Sequence, residues 1–190
     1  MIDDIGLFAA RMTVGLSYAS HGAQKALGWF EGPGPEGAAG FMESLGFKPG
    51  AQYAQAASWT EIGAGLGIAL GLGGPLAPAA LLSGMLVAQQ TVHAKNGFYA
   101  SKNGVELGVV YAAAALTFAS TGYGALSLDA ALGLDKKLRN PVLTTLALAG
   151  AFAAGQMLLG KRDLGPPAGT LATPTISRGN GAPAPEPSRN

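Results

Sequence analysis

The sequence predicts an all-α membrane protein: a four-helix transmembrane bundle followed by a fifth, C-terminal transmembrane helix. Three observations carry that reading. Hydrophobic residues make up 48% of the 190 positions and another 30 are glycine, while only 12% are charged. Soluble domains reach ~45–50% apolar residues with glycine included and carry ~25% charge, so this chain has too little charge to cover a water-facing surface. Five apolar runs, at 4–22, 56–73, 76–95, 104–122 and 142–160, each approach the ~20 helical residues that a bilayer core requires. Gly73-Gly74-Pro75 joins the second run to the third so tightly that the two must form an antiparallel hairpin.

The first run is preceded by Asp3 and Asp4 and lacks the basic segment that opens a secretory signal, so it is expected to be a retained span. Segment 23–55 carries Trp29, Phe30, a Gly-Pro-Gly-Pro turn at 32–35 and an amphipathic stretch around Phe41, Met42, Leu45 and Phe47. It is expected to lie as a lid on one membrane face, its tryptophan at the interface. Residues 1–130 then form the bundle with this lid, and 131–162 a basic connection and the additional helix. That helix starts after Asn140-Pro141, a helix-initiating pair, and holds no charge from Val142 to Gly160. Residues 163–190, rich in Pro, Gly, Ala, Ser and Thr without apolar periodicity, are expected to be disordered.

Antiparallel threading sends Lys25, Lys48, Lys95, Lys102, Lys161 and Arg162 to the face opposite the N-terminus, called face A below. Lys136, Lys137 and Arg139 go to the other face. Cytoplasmic loops collect Lys and Arg, so the larger group favours face A inside, while the compact 136–139 cluster favours the reverse. The net charge of +1 leaves no field for nucleic acid. The absence of cysteine excludes disulfides, thiolate nucleophiles, iron–sulfur clusters and covalently attached haem. With two histidines, no metal site is expected.

Ionisable groups inside a bilayer cost free energy and are read first as functional. Threading brings His21, Lys25, Glu61, Gln89, His93 and Glu106 from four helices to one polar layer under the lid. Arg11, near the opposite end, reads as a structural ion-pair partner for a carboxylate such as Glu61 or Glu106. Each has a plainer alternative: an interfacial histidine bonded to a carbonyl, or Glu106 complementing a helix dipole in its first turn. Arg11, Val14, Tyr18, His21 and Lys25 share one stripe of the first helix. Gly63, Gly67 and Gly71 make two GxxxG steps, a pattern that admits a neighbouring helix.

Arg11 with Val14-Gly15-Leu16 and His21-Gly22-Ala23-Gln24-Lys25 resembles the opening signature of the DoxX family. Glu61 before glycine-rich apolar sequence, Asn103-Gly104-Val105-Glu106, and the stretch from Thr121 through Ser127-Leu128-Asp129 resemble its later motifs, over residues 1–130 in all. The resemblance implies a four-helix membrane bundle in a cell membrane, in the company of membrane redox enzymes. On that basis the polar layer is expected to bind a quinone head group or to support a partner oxidoreductase, the chain being an accessory subunit rather than a stand-alone enzyme. No covalently bound cofactor is expected; a b-type haem between His21 and His93 is the weaker reading. The alternative class is an assembly, chaperone or scaffolding protein whose polar layer only fixes helix register.

Overall fold

The computed structural model describes residues 2–165, so the tail expected to be disordered lies outside the described residues from position 166 on. The described residues are all-α, with no strand among them. Helix α1 spans Ile2–Leu27, α2 Gly34–Ser44, α3 Gly50–Leu70, α4 Leu76–Ala88, α5 Glu106–Thr121, and α8 Pro141–Gly160; the short α6 (Leu128–Ala131) and α7 (Asp135–Leu138) lie between α5 and α8. At 1.5 Å per residue the 26 residues of α1 run about 39 Å and the 20 of α8 about 30 Å.

The ends of the helices confirm antiparallel threading of α1, α3, α4, α5 and α8. At the N-terminal end, Ala125 N donates to Asp4 Oδ1 at 2.9 Å, tying α1 to the segment after α5. At face A, Arg162 Nε donates to Leu45 O at 2.7 Å and Asp163 N to Gly46 O at 2.7 Å, tying the end of α8 to the segment after α2. Asn140 starts α8 by accepting from Val142 N and Leu143 N, and Pro141 follows at the first helical position, where its missing donor costs nothing. The interior joins Tyr18, Ile68, Leu81, Ala115 and Phe118 from four of the helices and Tyr123 from the segment after α5.

The closest helix contact, α1 on α3, runs through a different glycine from those of the GxxxG pattern. A Cβ at Gly65 would fall 2.5 Å from both Ala19 N and Gly15 O, and one at Gly15 would fall 2.5 Å from Ala69 N and Gly65 O. A Cβ at Gly22 would meet Ser58 O at 2.5 Å. Gly63 faces open space, Gly67 packs on Ala77 of α4, and Gly71 ends α3 in the left-handed conformation with φ +67°. Such positive φ is cheap only for glycine. The seam is therefore Gly15, Ala19 and Gly22 against Ser58, Ile62, Gly65 and Ala69.

Three further boundaries differ from the sequence expectation. Helix α1 continues to Leu27 and α3 begins at Gly50, so the lid is confined to 28–49. The third apolar run does not stay α-helical: it opens into a π turn at Gln89–His93 and a 3₁₀ turn at Ala94–Asn96. The basic connection folds into α6 and α7 rather than a bare loop.

By length and composition, one helix of the described residues, α8, could cross a membrane unaided; α5 is apolar but shorter. Polar residues along α1 and α3, such as Ser17, His21, Gln52, Gln55 and Glu61, lower their mean hydropathy, and α4 has only 13 residues. Large apolar side chains are nonetheless exposed around the bundle, among them Ile5, Leu16, Leu66, Val110, Leu146 and Phe152.

Candidate functional site

Tyr18, His21 and Lys25 occupy one stripe of α1 because positions three and four apart share a helix face. Glu61 on α3 meets the end of that stripe. Lys25 Nζ donates to Glu61 Oε1 in an ion pair whose side chains are 25% and 14% exposed. A carboxylate among apolar helices keeps its charge only beside such a partner. The other carboxylate oxygen, Oε2, is buried and without a hydrogen-bond partner among the described residues, and so is the Tyr18 hydroxyl. Gly84 of α4 leaves room for that hydroxyl, since any Cβ there would collide with it.

Helix α5 closes this cluster with Tyr111, a contributor that no residue pattern announces. Its ring centroid lies 5.8 Å from that of Tyr18 and 6.5 Å from that of His21, and its hydroxyl is 2.6 Å from Ser17 Oγ. His21 is exposed and its Nδ1 sits 3.3 Å from Gln24 Oε1. The cluster thus grades from a surface histidine, through a half-screened ammonium, to two buried oxygens.

The remaining expected residues lie at the same end of the bundle but do not join the pair. Gln89 opens the π turn, a rare element often found at functional sites. Its amide nitrogen presses on Gly108 of α5, and its Oε1 is buried without a partner among the described residues. Gln89 lies on the face of α4 turned away from Gly84, hence away from Tyr18. His93 Nδ1 is 2.8 Å from Asn103 O, and Glu106 Oε2 accepts from Ala100 N at 2.8 Å. These two hold the 97–105 loop, with neither hydrogen bond nor ion pair to Lys25 or Glu61 among the described residues. Only α1 and α3 supply charged groups to the central pair, because the π turn and the loop after it rotate His93 and Glu106 onto local backbone.

Arg11 corrects the expectation of a carboxylate partner. It is 2% exposed, and its guanidinium donates to the carbonyls of Ala69 and Leu126 with Phe8 4.9 Å away. Glu61 is engaged by Lys25 and Glu106 by Ala100 N, both at the other end of the bundle. The left-handed end of α3 and the 122–127 segment instead turn two carbonyls toward Arg11.

Beside it lies a feature of the SLD motif that spacing did not disclose. Asp129, 3% exposed, accepts from Gly73 N at 3.0 Å and Gly74 N at 2.8 Å, one bond to each carboxylate oxygen. Its own N–H donates to Gly71 O at 2.9 Å, and Tyr123 Oη donates to Gly74 O at 2.8 Å. Ser127 caps α6 and sets this geometry by accepting from Ala130 N. Arg11 and Asp129 therefore lock the α3–α4 turn to the chain after α5.

Residues 6–94 match the family model described as DoxX. The chain carries a DoxX domain over these residues. Membership makes it a small membrane protein of a family often linked to redox metabolism. The matched segment takes in α1 to the π turn of this DoxX chain, with Lys25, Glu61 and Gln89 inside it, whereas α5 and α8 lie beyond. No curated protein and no solved structure matches the chain.

Proposed function

We propose that this DoxX protein is a multi-pass protein of the cell membrane and an accessory subunit of a quinone-linked oxidoreductase. In this reading α1, α3, α4 and α5 form the transmembrane bundle and α8 adds a fifth crossing. The exposed apolar belt supports it, since soluble monomers rarely expose apolar patches beyond a few hundred Å². So do Trp29, Phe30, Phe98 and Tyr99, four exposed aromatics at face A, where amphipathic rings favour a bilayer interface.

The observation that carries the functional part is the Lys25–Glu61 pair, with two buried oxygens left over. Buried polar atoms are nearly always partnered, and the exceptions mark ligand, water or proton sites. A quinone head group presents two carbonyl oxygens and, on reduction, two hydroxyls. Lys25 and His21 can donate to the first, and Glu61 and Tyr18 can accept from the second, so the layer can hold either redox state and exchange a proton with it. The chain has no cysteine-ligated centre, so electrons come from the partner oxidoreductase. Infrared difference spectra of the reconstituted protein, recorded on adding a short-chain quinone, test this. A carboxyl band that moves in the wild type and is absent in Glu61→Gln supports head-group binding; identical spectra in the two proteins would refute it.

A scaffolding role is the second reading, favoured by the tight α1–α3 seam that the same pair closes. There Glu61→Gln lowers the yield of folded complex and leaves turnover per assembled complex unchanged.

A further inference from the structure

The walls around the Lys25–Glu61 layer differ in tightness. Helix α1 is clamped to α3 at Gly15 and Gly22, where a Cβ would fall 2.5 Å from backbone atoms of α3, so that wall has no slack. Helix α4 packs on both α3 and α5. Between α1 and α5 contact is sparse, and one side chain spans the gap. Tyr111 reaches across from α5, its hydroxyl 2.6 Å from Ser17 Oγ and its ring centroid 5.8 Å from that of Tyr18. Tyr111 is half-buried, whereas Tyr18 beyond it is 1% exposed. The Tyr18 hydroxyl and Glu61 Oε2 are the two buried oxygens without a hydrogen-bond partner among the described residues of this cluster.

The Ser17–Tyr111 bond lies at the surface of the bundle. Ser17 is exposed, and so are Leu16 on α1 and Leu107 and Val110 on α5. Ser17 stands mid-helix, eight residues or about 12 Å before Lys25 along α1. In the membrane reading that depth is hydrocarbon, where a hydroxyl is costly unless bonded, and these two hydroxyls bond each other. From face A the approach is covered by α2, which packs on both α1 and α3. The α1–α5 seam is different: rotating one side chain, Tyr111, breaks its single polar tie and uncovers Tyr18 without moving a helix. We propose that this seam is the portal through which a quinone dissolved in the bilayer reaches the Lys25–Glu61 layer, with the Ser17–Tyr111 hydrogen bond as its latch. The proposal rests on the quinone reading above and names its substrate class: a tailed quinone whose head passes between α1 and α5 while its tail stays in lipid.

The test follows the Glu61 carboxyl infrared band in time after decylquinone is added to the full chain in phosphatidylcholine vesicles. Tyr111→Phe and Ser17→Ala, which each cut the latch and keep a ring at position 111, should bring the band in about five-fold faster, as for one lost hydrogen bond. The double variant should be no faster than either single one, because both remove the same bond. Ser17→Cys with Tyr111→Cys, bridged by a reducible bifunctional thiol reagent, should lose the band and regain it on reduction; the chain has no other cysteine. On the wild type, a quinone held in water by a sulfonate should give no band, a result that depends on no variant folding. Unchanged rates in Tyr111→Phe and Ser17→Ala, a bridged protein as fast as the reduced one, or a sulfonated quinone as fast as decylquinone would each overturn the portal and leave the quinone reading intact. No Glu61 band with decylquinone in any protein, the wild type included, would overturn both.

Discussion

Replacing Gly65 by alanine separates the seam seen in the fold from the one suggested by glycine spacing. The new Cβ would lie 2.5 Å from Ala19 N and Gly15 O, and 2.8 Å from Ala19 Cβ. Ordinary contact begins near 3.4 Å, so α1 and α3 must part by about 1 Å, and the obstacles are backbone atoms that cannot rotate aside. Overpacking of this kind costs about 1–3 kcal/mol, and an immovable obstacle puts Gly65→Ala in the upper half, about 2–3 kcal/mol. At ~2–4 °C per kcal/mol for a chain of this size, the midpoint falls by roughly 4–12 °C. Gly63→Ala is the control: it meets nothing within 4 Å, and alanine in a helix is worth about 0.5–1 kcal/mol over glycine. Gly63→Ala should therefore leave the midpoint unchanged or raise it. Thermal unfolding followed by circular dichroism in one detergent reads both variants. Equal losses, or a loss at Gly63 with none at Gly65, would refute the seam.

Other consequences are as specific. Lys25→Met strands the Glu61 charge; breaking a buried pair costs ~3–5 kcal/mol, reduced to about 2–3 kcal/mol here by partial exposure, and adding Glu61→Gln should restore part of the loss in the same unfolding assay. Arg11→Met leaves two carbonyls unpaired and should cost about 2–3 kcal/mol, with protease cutting first at the freed 122–127 segment; unchanged protease resistance would contradict the anchor. Asp129→Asn keeps one acceptor but turns an N–H₂ toward Gly73 or Gly74, for about 1.5–3 kcal/mol of lost stability. The hydrogen bond from Lys48, 3.0 Å away, and one from Gly165 N hold the Asp163 carboxyl below its ordinary value of 3.8. A depressed carboxylate stabilises above its unfolded value and stops doing so as pH falls through the folded one. Hydrogen exchange at the Asp163 amide should then be level from pH 8 to 5, apart from intrinsic base catalysis, and lose protection only below pH 3.8.

How far the sequence disclosed this molecule depends on the kind of signal. Apolar runs and short turns gave the helix order and antiparallel threading, because burying or embedding twenty apolar residues leaves few topologies. They also placed Lys25 and Glu61 at one level. Whether two residues at one level touch depends on rotation about the helix axis; the π turn at Gln89 shifts that rotation for His93, and Glu106, first in α5, is taken up by Ala100 N of the loop before it. Glycine spacing misjudged the seam because every third or fourth residue of α3 is small, and only the partner helix decides which small residue it covers. Arg11 and Asp129 bind backbone groups, whose directions are set by turns that no residue pattern spells out.

Repeated membrane crossing would put the Lys25–Glu61 level within the bilayer beneath face A, and the topology of the chain tests this directly. The chain has no cysteine, so single cysteines can report topology without background. Ser101→Cys, Leu164→Cys and Lys136→Cys, all at exposed positions, would be labelled with an impermeant maleimide in sealed vesicles of both orientations. Ser101 and Leu164 should be labelled from one side and Lys136 from the other. Lys136 and Ser101 labelled from the same side would contradict repeated crossing.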